Sequence, residues 1–144
     1  MPEITTGRLT DILMKSDLNG FPSYLEKYKN ELKDFSFSDY FQKILSEKGV
    51  GRSTAVSNSG IEVHYGYQIL NSSKKPSRDK IICLCIGAGF SLKETQRALN
   101  FAEQGQLYPK RMRDAAIMLA INNGINNIWK VNDILSQYGL PLLA

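Results

Sequence analysis

Histidine and cysteine are almost missing from this 144-residue chain, which has one histidine, His64, and two cysteines, Cys83 and Cys85. A structural zinc centre takes four Cys or His ligands, so no such set can be assembled and no metal is expected. Two cysteines two positions apart make no disulfide framework either; within an apolar run they read as small buried hydrophobes. That run, Ile81 to Phe90, is the longest nearly apolar one, with ten residues including two glycines. A bilayer span needs roughly 20. With no charged-then-apolar leader at the N-terminus, the expected location is cytoplasmic and no membrane partner is expected. Valine is scarce and no segment alternates with period two for long, which argues against a sheet. A glycine-rich phosphate loop is also lacking, because Gly87-Ala88-Gly89 ends an apolar helical run rather than joining a strand to a helix. The acidic residues are scattered and the lone histidine has no nucleophile near it, so neither an enzyme nor a cofactor is expected.

What is present is ordinary for a folded chain: 42% hydrophobic and 22% charged residues, enough to bury a core. The net charge of +4 permits a polyanionic partner without requiring one. Apolar spacing and capping residues then divide the chain into helices. Thr6 is placed to cap a helix reaching Lys15 through Leu9, Ile12 and Leu13, and Pro22 opens a second with Leu25, Tyr28 and Leu32 on one stripe. Ser38 begins a third, with Phe41, Ile44 and Leu45 inward and Gly49 as its stop. From Gly51 the pattern changes to a short helix, Arg52 to Ser59, anchored by Ala55 and Val56; a turn at Gly60 with Ile61 in the corner; a helix from Glu62 to Leu70; and a basic loop closed by Pro76. Ser77 caps a helix apolar on all sides, which marks it as central and buried. Ser91 and Glu94 stand in capping-box spacing before a helix with Leu92, Thr95, Leu99 and Ala102 on one side. An alanine-rich seam of Met112, Ala115, Ala116, Leu119 and Ala120 follows, stopped at Gly124, and a last helix from Asn127 to Tyr138 packs through Ile128, Val131, Ile134 and Leu135. The expected fold is all-α with about nine helices.

Residues 91–99 and 127–135 share cap, apolar and amide residues at an offset of 36, each followed by a turn with leucine and proline, Leu107-Tyr108-Pro109 and Leu140-Pro141. Two copies are too few for a solenoid. They read as two similar helical hairpins.

Short helix, glycine turn, polar helix and basic loop, in that order, is how a helix-turn-helix offers one helix to the DNA major groove. If Ile61, Tyr65 and Ile69 pack inward, Val63, His64, Tyr67, Gln68 and Asn71 point outward. The Gln68 amide can both donate to and accept from one adenine edge, His64 can bond a base or phosphate, and Tyr67 can meet a phosphate or a thymine methyl. Val63 completes the expected base-contacting set. Arg52, Asn71, Lys74, Lys75 and Arg78, with Lys80 beside them, stand where the phosphate backbone is gripped. A face carrying Tyr65 and Tyr67, or the N-terminal pair of helices, suits a protein partner as the alternative.

Over roughly Ser38 to Ala88 the chain resembles the Cro/C1 repressor-like (XRE-type) helix-turn-helix family. The resemblance rests on Gly60-Ile61, on Ile69, and on Asn71-Ser72-Ser73-Lys74-Lys75-Pro76-Ser77 leading into a buried helix. Its latter half, with Pro76-Ser77-Arg78-Asp79-Lys80, Leu107-Tyr108-Pro109 and Arg113-Asp114, is similar to such regulators of Gram-positive bacteria that carry a helical C-terminal extension. The resemblance implies a lambda-repressor-like core at 36–89, between an N-terminal helical pair (1–35) and a C-terminal helical extension packed on the core (90–144). It also implies sequence-specific binding of double-stranded DNA, often as a homodimer on a palindromic operator. The N-terminal pair and the last helix, with Trp129 and Tyr138, are the expected dimer surfaces. Five positions depart from the family pattern. Ala55-Val56 reverses the usual large-then-alanine order, Ser59 replaces an apolar residue before the turn, Ser72 replaces a closing glycine, and Gly66 stands mid-helix, where glycine costs about 1 kcal/mol relative to alanine.

Overall fold

In the computed structural model, residues 5–29 and 36–144 are described, and the chain divides into two units, Met1–Asp34 and Phe35–Ala144. Among the described residues there are nine α-helices, one short 3-10 turn and no strand, so the all-α expectation holds. No helix among them is long and apolar enough to cross a membrane.

The first unit contains α1 (Thr6–Met14), a 3-10 turn at Leu18–Gly20 and α2 (Phe21–Lys27). Thr5, not Thr6, caps α1, because its extended backbone lets the side chain accept from Arg8 N–H. Tyr24 of α2 and Tyr28, which caps its C-terminus, are buried with ring centroids 5.0 Å apart, while Leu25 is exposed; Leu32 of the expected stripe lies outside the described residues.

The second unit holds α3 (Phe37–Lys48), α4 (Arg52–Ser59), α5 (Val63–Leu70), α6 (Arg78–Gly87), α7 (Leu92–Phe101), α8 (Met112–Asn122) and α9 (Ile128–Gln137). Ser36 caps α3 in a reciprocal box with Asp39, two residues before the expected start. Ser38 is thereby inside the helix and buried, where its hydroxyl donates to the carbonyl of Leu70. The expected box of Ser91 with Glu94 forms on α7. Burial of Ile81 to Gly87 makes α6 the axis of the unit, with α4, α7 and α9 packed around it. One continuous core runs from Phe37 to Leu143, so residues 36–89 and 90–144 are not separate bodies. Cys83 and Cys85 lie in it, and burial raises both thiols, Cys83 to about 12, which keeps them protonated and inert.

The expected seam on α8 holds only in part, with Ala120 buried and Ala115 and Ala116 half-buried. Met112 and Leu119 are exposed, and the buried face carries Asp114, Ile117, Ala120 and Ile121. Alanine suits either face, so the branched Ile117 and Ile121 decide which one turns inward.

The offset noted in the sequence is a structural duplication. Gln96 exchanges two hydrogen bonds with the backbone of Leu107, and Asn132 exchanges two with that of Leu143. Arg78 grips the carbonyls of Gly105 and Gln106; Arg113 grips those of Pro141 and Leu142 in the same way, through Nε and Nη2. The carboxylates cross between copies. Arg78 forks onto Asp114 at 2.9 and 3.3 Å, and Arg113 onto Asp79 at 2.8 and 3.0 Å. Each hairpin thus ties its own loop with its arginine and the other hairpin's arginine with its aspartate.

Candidate nucleic-acid interface

Local chemistry explains the shape of the α4–α5 pair. Gly60 turns the chain at φ 72°, a left-handed angle that side chains resist, and a Cβ there would also come within 2.8 Å of Ile128 Cγ2. The buried Ser59 hydroxyl donates to Val56 O at 2.6 Å and accepts from Ile61 N–H at 3.2 Å. The polar residue before the turn is therefore satisfied and pins the corner. Val56 and Gly66 are a complementary pair, because a Cβ on Gly66 would stand 2.7 Å from Val56 Cγ1. Val56 fills the volume Gly66 leaves, so these two departures from the family pattern account for each other. Gly87 does the same between α4 and α6, where a Cβ would meet Ala55 O at 2.4 Å. At its far end, α5 is held by α3, with Gln42 Nε2 donating to Leu70 O at 2.8 Å.

Gly66, Ile69 and Leu70 are buried on one side of α5, and Val63, His64, Gln68 and Asn71 are exposed. At 100° per residue the exposed positions and Tyr67 fall within an arc of about 140°. Tyr67 is half-buried and packs against the core. Tyr65 is packed inward too, beneath the Lys80 ammonium, 5.3 Å from its ring centroid.

The cations part company. Arg52, Lys74 and Lys75 are exposed and have no carboxylate partner among the described residues. Arg78 was expected among the phosphate contacts, and its guanidinium is instead spent on Asp114, Gly105 and Gln106. It braces the hairpins, and its partner lies 36 residues away, beyond the reach of any local pattern. Asn71 accepts from Ser73 N–H and Oγ at 3.1 and 2.7 Å, which orders the basic loop and leaves the amide N–H₂ to donate.

Glu62 joins the candidate residues only through the structure. Its carboxylate caps α5 by accepting from His64 N–H at 3.0 Å and Tyr65 N–H at 2.8 Å, and these bonds hold its pKa below the ordinary value. Fully charged at the leading end of α5, it can accept from a cytosine amino group and repels a phosphate. The sign that could have found it is an acidic residue immediately after the turn, the N-cap position.

No family model, curated protein or solved structure matches this chain.

Proposed function

We propose that the chain is a sequence-specific DNA-binding regulator on a helix-turn-helix of the Cro/C1 repressor-like kind, with α5 in the major groove of a palindromic operator bound by a homodimer. The observation that supports this most is the exposed arc of α5, which offers Val63, His64 and Gln68 between the Glu62 cap and the basic loop, where Lys74 and Lys75, like Arg52 on α4, are exposed with no carboxylate partner among the described residues. Groove-width recognition needs one helix with a polar, unobstructed face and cations at its flanks, and these residues supply both. Selection of bound duplexes from a random pool, followed by anisotropy titration against salt, tests it. An enriched palindrome is expected. Gln68→Ala should relax one base pair by about 1–3 kcal/mol, and joint Lys74→Ala/Lys75→Ala should lower the salt slope by about 2. No enrichment, together with equal affinity of the Gln68, His64 and wild-type proteins, sinks the reading.

A second reading, a protein-interaction module on the same scaffold, is favoured by the apolar flank of the turn. Trp129 is 57% exposed with its ring beside Gly60, and Val63 is 56% exposed. Retention of duplex at low ionic strength separates the two readings.

A further inference from the structure

Among the described residues, the two non-glycine residues with positive φ are Ser72, at 67°, and Glu103, at 58°. They follow α5 and α7 at places where a glycine would sit without strain, as Gly49, Gly89 and Gly124 do after other helices. A left-handed residue with a Cβ is disfavoured, and such strain collects where a side chain is needed at a binding surface. Both residues line one groove of about 220 Å³, between the end of α5, the basic loop and the end of α7.

Phe37, Ile69, Pro76 and Ala102 give the groove an apolar floor, and Lys74 and Lys75 line it as well. Neither ammonium is paired with a carboxylate, and the Glu103 carboxylate has no cation, among the described residues. The groove therefore offers both signs of charge over an apolar surface. A simple carboxylate would meet Glu103 as well as the lysines, and a simple amine would meet the lysines as well as Glu103. A small zwitterion with an apolar body satisfies all three groups.

We propose that this groove binds a free apolar amino acid of the leucine or phenylalanine kind. Its carboxylate lies toward Lys74 and Lys75, its ammonium toward Glu103, and its side chain on the floor. The site stands without the DNA reading; only one consequence rests on that reading. A bound carboxylate occupies the cations assigned to phosphates, so the amino acid and DNA weaken each other's binding by the same factor.

Calorimetric titration of the full chain at low ionic strength with phenylalanine, leucine, phenylalaninamide and N-acetylphenylalanine tests the site. Saturable binding of the two free amino acids is expected, with either blocked derivative about tenfold weaker. Glu103→Gln should erase the preference over N-acetylphenylalanine, and joint Lys74→Gln/Lys75→Gln the preference over the amide. Ala102→Trp fills the floor and should abolish binding, while the exposed Glu103→Gln, its fold checked by thermal melting, serves if the tryptophan variant does not fold. Absence of saturable binding, equal binding of free and blocked forms, or both charge variants binding as wild type overturns the assignment. Amino-acid binding that leaves DNA affinity unchanged upholds the site and removes only the consequence for DNA.

Discussion

The hairpins α6–α7 and α8–α9 begin on the same Arg-Asp pair and tie their loops with the same side chains, yet α6 is buried from Ile81 to Gly87 while α8 leaves Met112 71% and Leu119 65% exposed. The difference lies in their neighbours. α4 packs closely along α6, through the gap that Gly87 leaves, and the principal neighbours of α8 are α7 and α9. At the counterpart of Gly87, α8 carries Asn122, which is exposed. One local code can therefore serve a central helix or a peripheral one, and the number of packed neighbours decides which.

The crossed ion pairs are where this comparison is easiest to break. Asp114 is 5% exposed in its side chain against 28% for Asp79. Arg78→Ala strands the more buried carboxylate and should cost about 3–5 kcal/mol, whereas Arg113→Ala should cost roughly 1–3, both read from urea unfolding. Equal losses would mean that the two clamps are energetically equivalent despite their burial. Next in size is the leucine pair. Leu84→Ala should cost about 2–5 kcal/mol in the same measurement because Leu84 is fully buried, and Leu119→Ala should stay within about 0.5. A large loss at Leu119 would reveal a partner on the outer face of α8. Gly87→Ala forces a Cβ against the α4 backbone and should cost about 1–3 kcal/mol, while Asn122→Ala should be near neutral.

The smallest effect is the dependence on pH. The Arg113 hydrogen bonds hold Asp79 below its ordinary pKa, against the opposing effect of burial. For Asp114 burial acts upward most strongly, and the bonds from Arg78 and Tyr108 N–H outweigh it, so this carboxyl is lowered as well. Folding therefore favours the charged forms. Their contribution is complete at neutral pH and is lost as the pH falls from about 4 through the lower folded values. The urea midpoint should drop in that window for the wild type, and less steeply for Asp79→Asn and Asp114→Asn, whose stability at neutral pH is already reduced.

Much of the α-helical organisation was legible in advance. Gly49, Gly60 and Gly124 close helices at positive φ as expected, and the capping box on α7 was readable from Ser91 and Glu94. The Ser36–Asp39 box has the same spacing, but Ser38 also precedes the apolar face of α3, so the pattern alone does not choose between the two serines. Of the candidate site, Val63, His64 and Gln68 are exposed as expected, Tyr67 is half packed, and Arg78 is withdrawn into the clamp. Solvent exposure follows from periodicity along one helix, whereas the partner of a long cation depends on a residue a whole hairpin away.

By itself the sequence determined what is local: where helices start and stop to within a residue or two, the left-handed turns, the apolar identity of α6, and the repeat at an offset of 36. These depend on backbone angles, capping groups and spacing within a few residues, all of which are written consecutively along the chain. The tertiary structure alone decided which face of α8 is buried, that Val56 requires Gly66, that Arg78 is structural, and that Ser72, Glu103 and two lysines line one groove. Each of these depends on which segments meet across space, and close packing, rather than local propensity, settles that choice.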